Sequence, residues 1–127
     1  SKPFVVLDSI DKYGVSFVGL DIKAGSDASY SDHFIGSYSS FSFCNALYTL
    51  YFLSQRKDRV DIDVRTTLGK YLSELELIKI GKKLSNYVNE WNLQYEVQEG
   101  KQIKYLNAKQ YENVVDGLRH FIKINFR

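Results

Sequence analysis

The chain has very little cysteine, proline or histidine and no long apolar run, and each shortage closes off a class of protein. Cys44 is the only cysteine among 127 residues, so no disulfide can form within the chain, which suits a reducing, cytoplasmic setting. Pro3 is the only proline, leaving Gly, Ser, Asn and Asp to shape the loops. The two histidines, His33 and His120, would need carboxylates to complete a zinc site, and no spacing supplies them. The most apolar stretch, residues 41–53, is interrupted by Ser42, Asn45 and Thr49 and is about half of what a bilayer span requires, so no membrane partner is expected. Phe4 to Leu7 is too short for the apolar segment of a secretory signal. The sequence has no phosphate-binding Gly-x-x-x-x-Gly-Lys-Ser/Thr, no dinucleotide glycine fingerprint, no His-Glu-x-x-His and no Cys-x-x-Cys. A binding module without cofactor is therefore expected rather than an enzyme.

What is present is an ordinary globular composition, 44% apolar and 25% charged, with aromatics at 15% from ten Tyr, eight Phe and one Trp. A chain this long buries roughly two thirds of its unfolded surface, enough for one core and one domain over residues 1–127. The net charge of +2 is small but unevenly spread. Residues 1–40 carry three Lys against five Asp, whereas residues 99–127 carry six Lys or Arg against three acids.

The pattern predicts an α+β fold with a small mixed sheet and three to four helices. Phe4 to Ile10 and Val15 to Lys23 are β-branched and aromatic runs around Gly14, which reads as a β-hairpin. The Ser- and Gly-rich stretch 24–42 reads as a long loop with a short strand at Phe34 to Tyr38. A helix follows from Phe43 to about Arg56, with Leu47, Leu50, Tyr51 and Ser54 on one side, although its aromatics also suit a strand. Arg59 to Arg65 alternates as a half-buried strand. Thr66 or Thr67 then caps a stripe of Leu68, Leu72 and Leu75. That stripe fails at Lys79, Lys82 and Asn86, where Leu77, Ile80, Leu84, Tyr87, Val88 and Trp91 take over. The two-residue jump is roughly 200° on a helix, and Gly81 weakens a helix by about 1 kcal/mol relative to Ala. Two helices with a turn between Glu76 and Gly81 are expected, with one long helix buried between two layers as the alternative. Leu93 to Val97 and Gln102 to Leu106 form a second hairpin at Gly100. Asn107 caps a last helix to about Ile122, with Tyr111, Val114, Val115, Leu118 and Ile122 inward.

Helix, strand, helix, turn, helix and hairpin over residues 43–107 resemble the element order of winged helix-turn-helix domains. The resemblance implies a recognition helix from Lys79 to Trp91 and a wing from Gln98 to Lys104. Lys79, Lys82, Lys83, Asn86 and Asn89 would then meet double-stranded DNA, with Lys101 and Lys104 reaching its backbone from the wing and Lys109, Arg119 and Lys123 extending the footprint. Lys neutralises phosphates with counterion release, and Asn can pair with adenine.

Other readings use other residues. A protein-protein interaction module, an inhibitor or adaptor, would use the Tyr/Ser-rich segment 29–43 through Tyr30, His33, Phe34 and Tyr38, since Tyr gives rigid contact area at low entropic cost. A metal-dependent nuclease would gather Asp8 with Asp61 or Asp63. Three strands, a helix and a strand resemble the start of a ribonuclease-H-like fold, but residues 44–55 hold no acid where that family adds a ligand. Cys44, in the apolar context Phe41-Ser42-Phe43-Cys44, reads as inert packing. Uncovered hairpin edges make a second copy of the chain, a homodimer, a further candidate partner.

Overall fold

The computed structural model describes residues 3–24, 43–56 and 58–127. The predicted strand at Phe34 to Tyr38 lies outside the described residues. Among them stand four helices and a five-stranded sheet, an α+β fold. In chain order these are α1 (Pro3–Tyr13), β1 (Phe17–Asp21), α2 (Phe43–Ser54), β2 (Asp61–Leu68), α3 (Glu74–Leu84), β3 (Glu90–Gln98), β4 (Lys101–Ile103), α4 (Ala108–Leu118) and β5 (Lys123–Phe126).

The N-terminal hairpin does not form; its first arm is α1. Pro3 opens the helix, where its fixed φ and missing N–H cost nothing. Val6 and Ile10, four residues apart, pack with Leu53 and Val60, a helical spacing that overrides the β-branched character of Val5 and Val6. Gly14 is the helix stop: it sits at φ 67°, and its N–H donates to the Ile10 carbonyl at 3.2 Å. The Arg56 guanidinium ties α1 to the end of α2, donating to both Asp11 carboxylate oxygens at 3.1 and 3.0 Å and holding that carboxyl below its ordinary range.

Released from the hairpin, β1 pairs in parallel with β2, Phe17 opposite Asp61 and Asp21 opposite Arg65. Next to it, β2 pairs in parallel with β3, Arg65 opposite Asn92. The far edge of β3 is shared: Glu90 to Leu93 pair in parallel with β5, and Glu96 to Gln98 pair antiparallel with β4. The β3–β4 hairpin is the predicted one, turning through Glu99 and Gly100, both at positive φ (50° and 78°).

The predicted pair of helices over residues 67–92 is instead a strand end, one helix and the start of another strand. Thr66 and Thr67 continue β2, and the cap is Ser73, whose hydroxyl accepts from the Glu76 N–H at 3.2 Å. Leu68 and Leu72 are buried on the strand and its exit, while Leu75 is 77% exposed, so the two stripes belong to different elements. Helix α3 runs straight through the predicted turn and buries Leu77, Ile80, Gly81 and Leu84. Gly81 serves packing, because a Cβ there would run into Leu118 of α4. In α2 the buried face is Phe43, Ala46, Thr49, Leu50 and Leu53, rotated from the expected one, so that Tyr51 is exposed.

Asn107 caps α4 as expected, in a capping box with Gln110. The helix ends at Leu118, Val115 turns outward, and β5 follows, an element with no counterpart in the sequence reading. Tyr111 holds β5 in place, meeting Tyr95 and Phe126 edge-on with ring centroids at 5.6 and 5.1 Å.

All four helices bury their apolar faces on the same side of the sheet. Leu20, Val64, Trp91 and Leu93 share one core with α2, α3 and α4, and Val18 and Ile62 meet the smaller cluster of α1. The opposite face holds polar side chains that satisfy one another. Asp63 accepts from Arg127 at 2.8 and 3.1 Å and from Asn92, Gln94 donates to Thr67 at 2.9 Å, and Asn125 donates to Glu90 at 3.2 Å. Parallel sheets are usually covered on both faces; this hydrogen-bonded polar lattice lets one face stand open among the described residues.

Candidate ligand cleft at the strand carboxyl ends

Because β1, β2 and β3 run parallel, their carboxyl ends meet at one end of the sheet. A cleft of about 500 Å³ lies there, a volume in the range of small-molecule sites. Each strand contributes a polar side chain: Asp21 from β1, Thr67 from β2 and Glu96 from β3. The chain after β2 adds Lys70 and Tyr71, and Tyr105, between β4 and α4, completes the wall.

Asp21 keeps contact with solvent, yet desolvation at the cleft raises its carboxyl above the ordinary value, with Lys23 and Arg65 opposing the rise. The Tyr105 hydroxyl donates to Glu96 Oε2 at 2.7 Å, which fixes both groups and raises the phenol, since ionisation would break the bond and set two anions together. The Lys70 ammonium lies 4.9 Å from the Tyr71 ring centroid. The cleft thus offers two carboxylates, two ammonium groups and two half-exposed aromatic rings.

A raised carboxyl opposes folding at neutral pH. The folded state holds the Asp21 proton more tightly than the unfolded chain, so the penalty is present above the folded pKa and disappears as pH falls below the unfolded value. Asp21→Asn should therefore raise the melting temperature at pH 7, and this gain should shrink on acidification; thermal melts across pH 3 to 7 check it.

The side chains expected to read DNA fall in two groups, one on α3 and the chain after it and one on the β3–β4 hairpin. Lys79, Lys82 and Lys83 project from α3, and Asn86 and Asn89 are exposed before β3. Lys82 and Lys83 rest over the Phe121 and Phe43 rings at 5.4 and 5.1 Å. Lys101 and Lys104 belong to the β3–β4 hairpin, Lys101 opposite Gln98 and Lys104 5.1 Å from the Tyr95 ring centroid.

Tyr30, His33, Phe34 and Tyr38 lie outside the described residues. Asp8, expected on a strand, is on α1 with Lys12 at 3.8 Å, and Asp63 is taken up by Arg127 and Asn92. No group of three metal-ligating side chains occurs among the described residues. Cys44 is exposed rather than packed, and no described helix is long and apolar enough to cross a membrane.

Asp21, Thr67, Tyr71, Glu96 and Tyr105 were not legible as a site, because Asp21 reads simply as the exit of a strand. The available signal was a polar residue closing each of several apolar strands, which gains meaning only once those strands are known to be parallel neighbours. The chain matches no family model, no curated protein and no solved structure.

Proposed function

We propose that this chain is a small binding module that takes a polar small-molecule ligand in the cleft at the carboxyl ends of β1, β2 and β3. The observation that carries this reading is the convergence of Asp21, Thr67 and Glu96 from three adjacent parallel strands on one cavity walled by Tyr71 and Tyr105. Charged groups on the floor orient a ligand, and the rings supply area. Duplex DNA is the less supported reading, since Lys82, Lys83 and Lys104 lie over aromatic rings. The segment 29–43 that a protein partner would use lies, except for Phe43, outside the described residues.

Gly69 lines the cleft, and a Cβ added there meets nothing within 4 Å, so the fold should accept Gly69→Trp, whose indole adds bulk at the cleft. In a thermal-shift screen of polar metabolites, a ligand present at about a hundred times its Kd should stabilise the protein by about 2.7 kcal/mol. Gly69→Trp should melt near wild type alone and lose that shift. Hits that stabilise both proteins equally would count against the cleft.

A further inference from the structure

A second hollow of about 520 Å³ lies where the edge of β3 passes from β5 to β4. Gln94 and Tyr95 stand at this gap, with Gln102 of β4 and Arg127 after β5 lining it. The two hollows share Thr67 and Glu96, so they adjoin, and we treat them as one groove from Tyr71 and Tyr105 to Arg127.

The groove's chemistry selects among chain-like ligands. Asp21 and Glu96 balance Lys23 and Lys70 along it, and the Arg127 guanidinium is engaged by Asp63 at 2.8 and 3.1 Å. A polyanion gains affinity from an excess of cations, and this groove has none to give. A peptide added as a strand needs a run of unpaired edge; the gap in the pairing of β3 spans only Gln94 and Tyr95. What the groove does offer is the amides of Gln94 and Gln98 and the hydroxyl of Thr67, which both donate and accept, together with carboxylates that accept. Gln94 is fixed there by its bond to Thr67 Oγ1 at 2.9 Å. Tyr71 and Tyr105 are 43% and 39% exposed, and although Lys70 covers one face of Tyr71, the C–H face of a sugar ring can lie on the ring surface that remains.

The geometry points to an uncharged, hydroxyl-rich chain, an oligosaccharide of a few units, as the ligand of this groove; the inference rests on the reading of the cleft as the ligand site. Titrating the isotope-labelled chain with maltohexaose, cellohexaose and chitohexaose to about 10 mM resolves millimolar affinities. One hexamer should shift the side-chain amide signals of Gln94 and Gln98 along with the signals of Tyr71 and Tyr105. It should bind about tenfold tighter than its monosaccharide, a difference of about 1.4 kcal/mol. Gln94→Ala combined with Gln98→Ala should remove that advantage. Absence of any hexamer-induced shift, or equal affinity for hexamer and monosaccharide, overturns the proposal. If nucleotides or amino acids move Tyr71 and Tyr105 while the sugars do not, the oligosaccharide falls and the cleft stands. If neither sugars nor those compounds move them, both fall.

Discussion

Trp91→Ala should bring the protein close to unfolding in water, with a loss of about 3 to 5 kcal/mol in urea denaturation against a total stability of about 5 to 15 kcal/mol for a domain. Trp91 is the largest fully buried side chain, at 0% exposure, and sits on β3 within the core shared by α2, α3 and α4. Its indole N–H donates to the Thr66 hydroxyl at 3.0 Å, inside the sheet layer. That bond makes a second effect separable from volume. Thr66→Val strands the N–H in an apolar surrounding and should cost about 1 to 3 kcal/mol, whereas Thr66→Val in a Trp91→Phe background should cost clearly less, because no donor remains to be satisfied. Additive losses in that double-mutant cycle would show that the bond contributes nothing.

The second large effect is expected at the crossing of α3 and α4. A Cβ at Gly81 would collide with Leu118 Cδ1 and lie 2.9 and 3.2 Å from Leu118 Cδ2 and Cγ. Leu118 is fully buried and cannot swing aside. Gly81→Ala therefore sets a helix-propensity gain of about 1 kcal/mol against overpacking of about 1 to 3 kcal/mol, and the clash should win. Gly81→Val should lose more, since it adds two further methyl groups and lowers helix propensity. Leu118→Ala should cost less in the Gly81→Ala background than in the wild type, a non-additivity that identifies the clash as the source of the loss. At Gly117 the nearest atom, Ile78 Cδ1, is 3.2 Å away, so Gly117→Ala should be milder.

Gly81 also shows why the sequence was only partly legible. In one dimension, a glycine at a break in apolar phase reads as a turn; in three, it is the point where one helix backbone admits the side chain of another. The break arose because Leu68 belongs to a strand and Leu77 to a helix, and a stripe drawn through both had no physical basis. The same confusion of local signals turned α1 into a strand, since Phe4 to Ile10 favours β structure locally and is overruled by contacts with Leu53 and Val60 more than forty residues away.

Elements carrying their own local chemistry were legible. Asn107 with Gln110 announces α4, Glu99-Gly100 sets the hairpin, and the alternation of Val60, Ile62 and Val64 marks β2. The parallel pairing was not legible, because no local residue encodes it, and the cleft inherits that obscurity: Asp21, Thr67 and Glu96 are brought to one place only by the register of β1, β2 and β3. Basic residues were conspicuous in the sequence and drew the functional reading to α3, yet several of them lie over aromatic rings, using their stems as packing.

The most direct test of the account is a chemical-shift map of the labelled protein with the ligands that raise its melting temperature. Shifts centred on Asp21, Thr67, Tyr71, Glu96 and Tyr105, and lost in Gly69→Trp, are the predicted result. Shifts centred on Lys82, Lys83 and Asn86 at the far end of β3, undisturbed by Gly69→Trp, would contradict it.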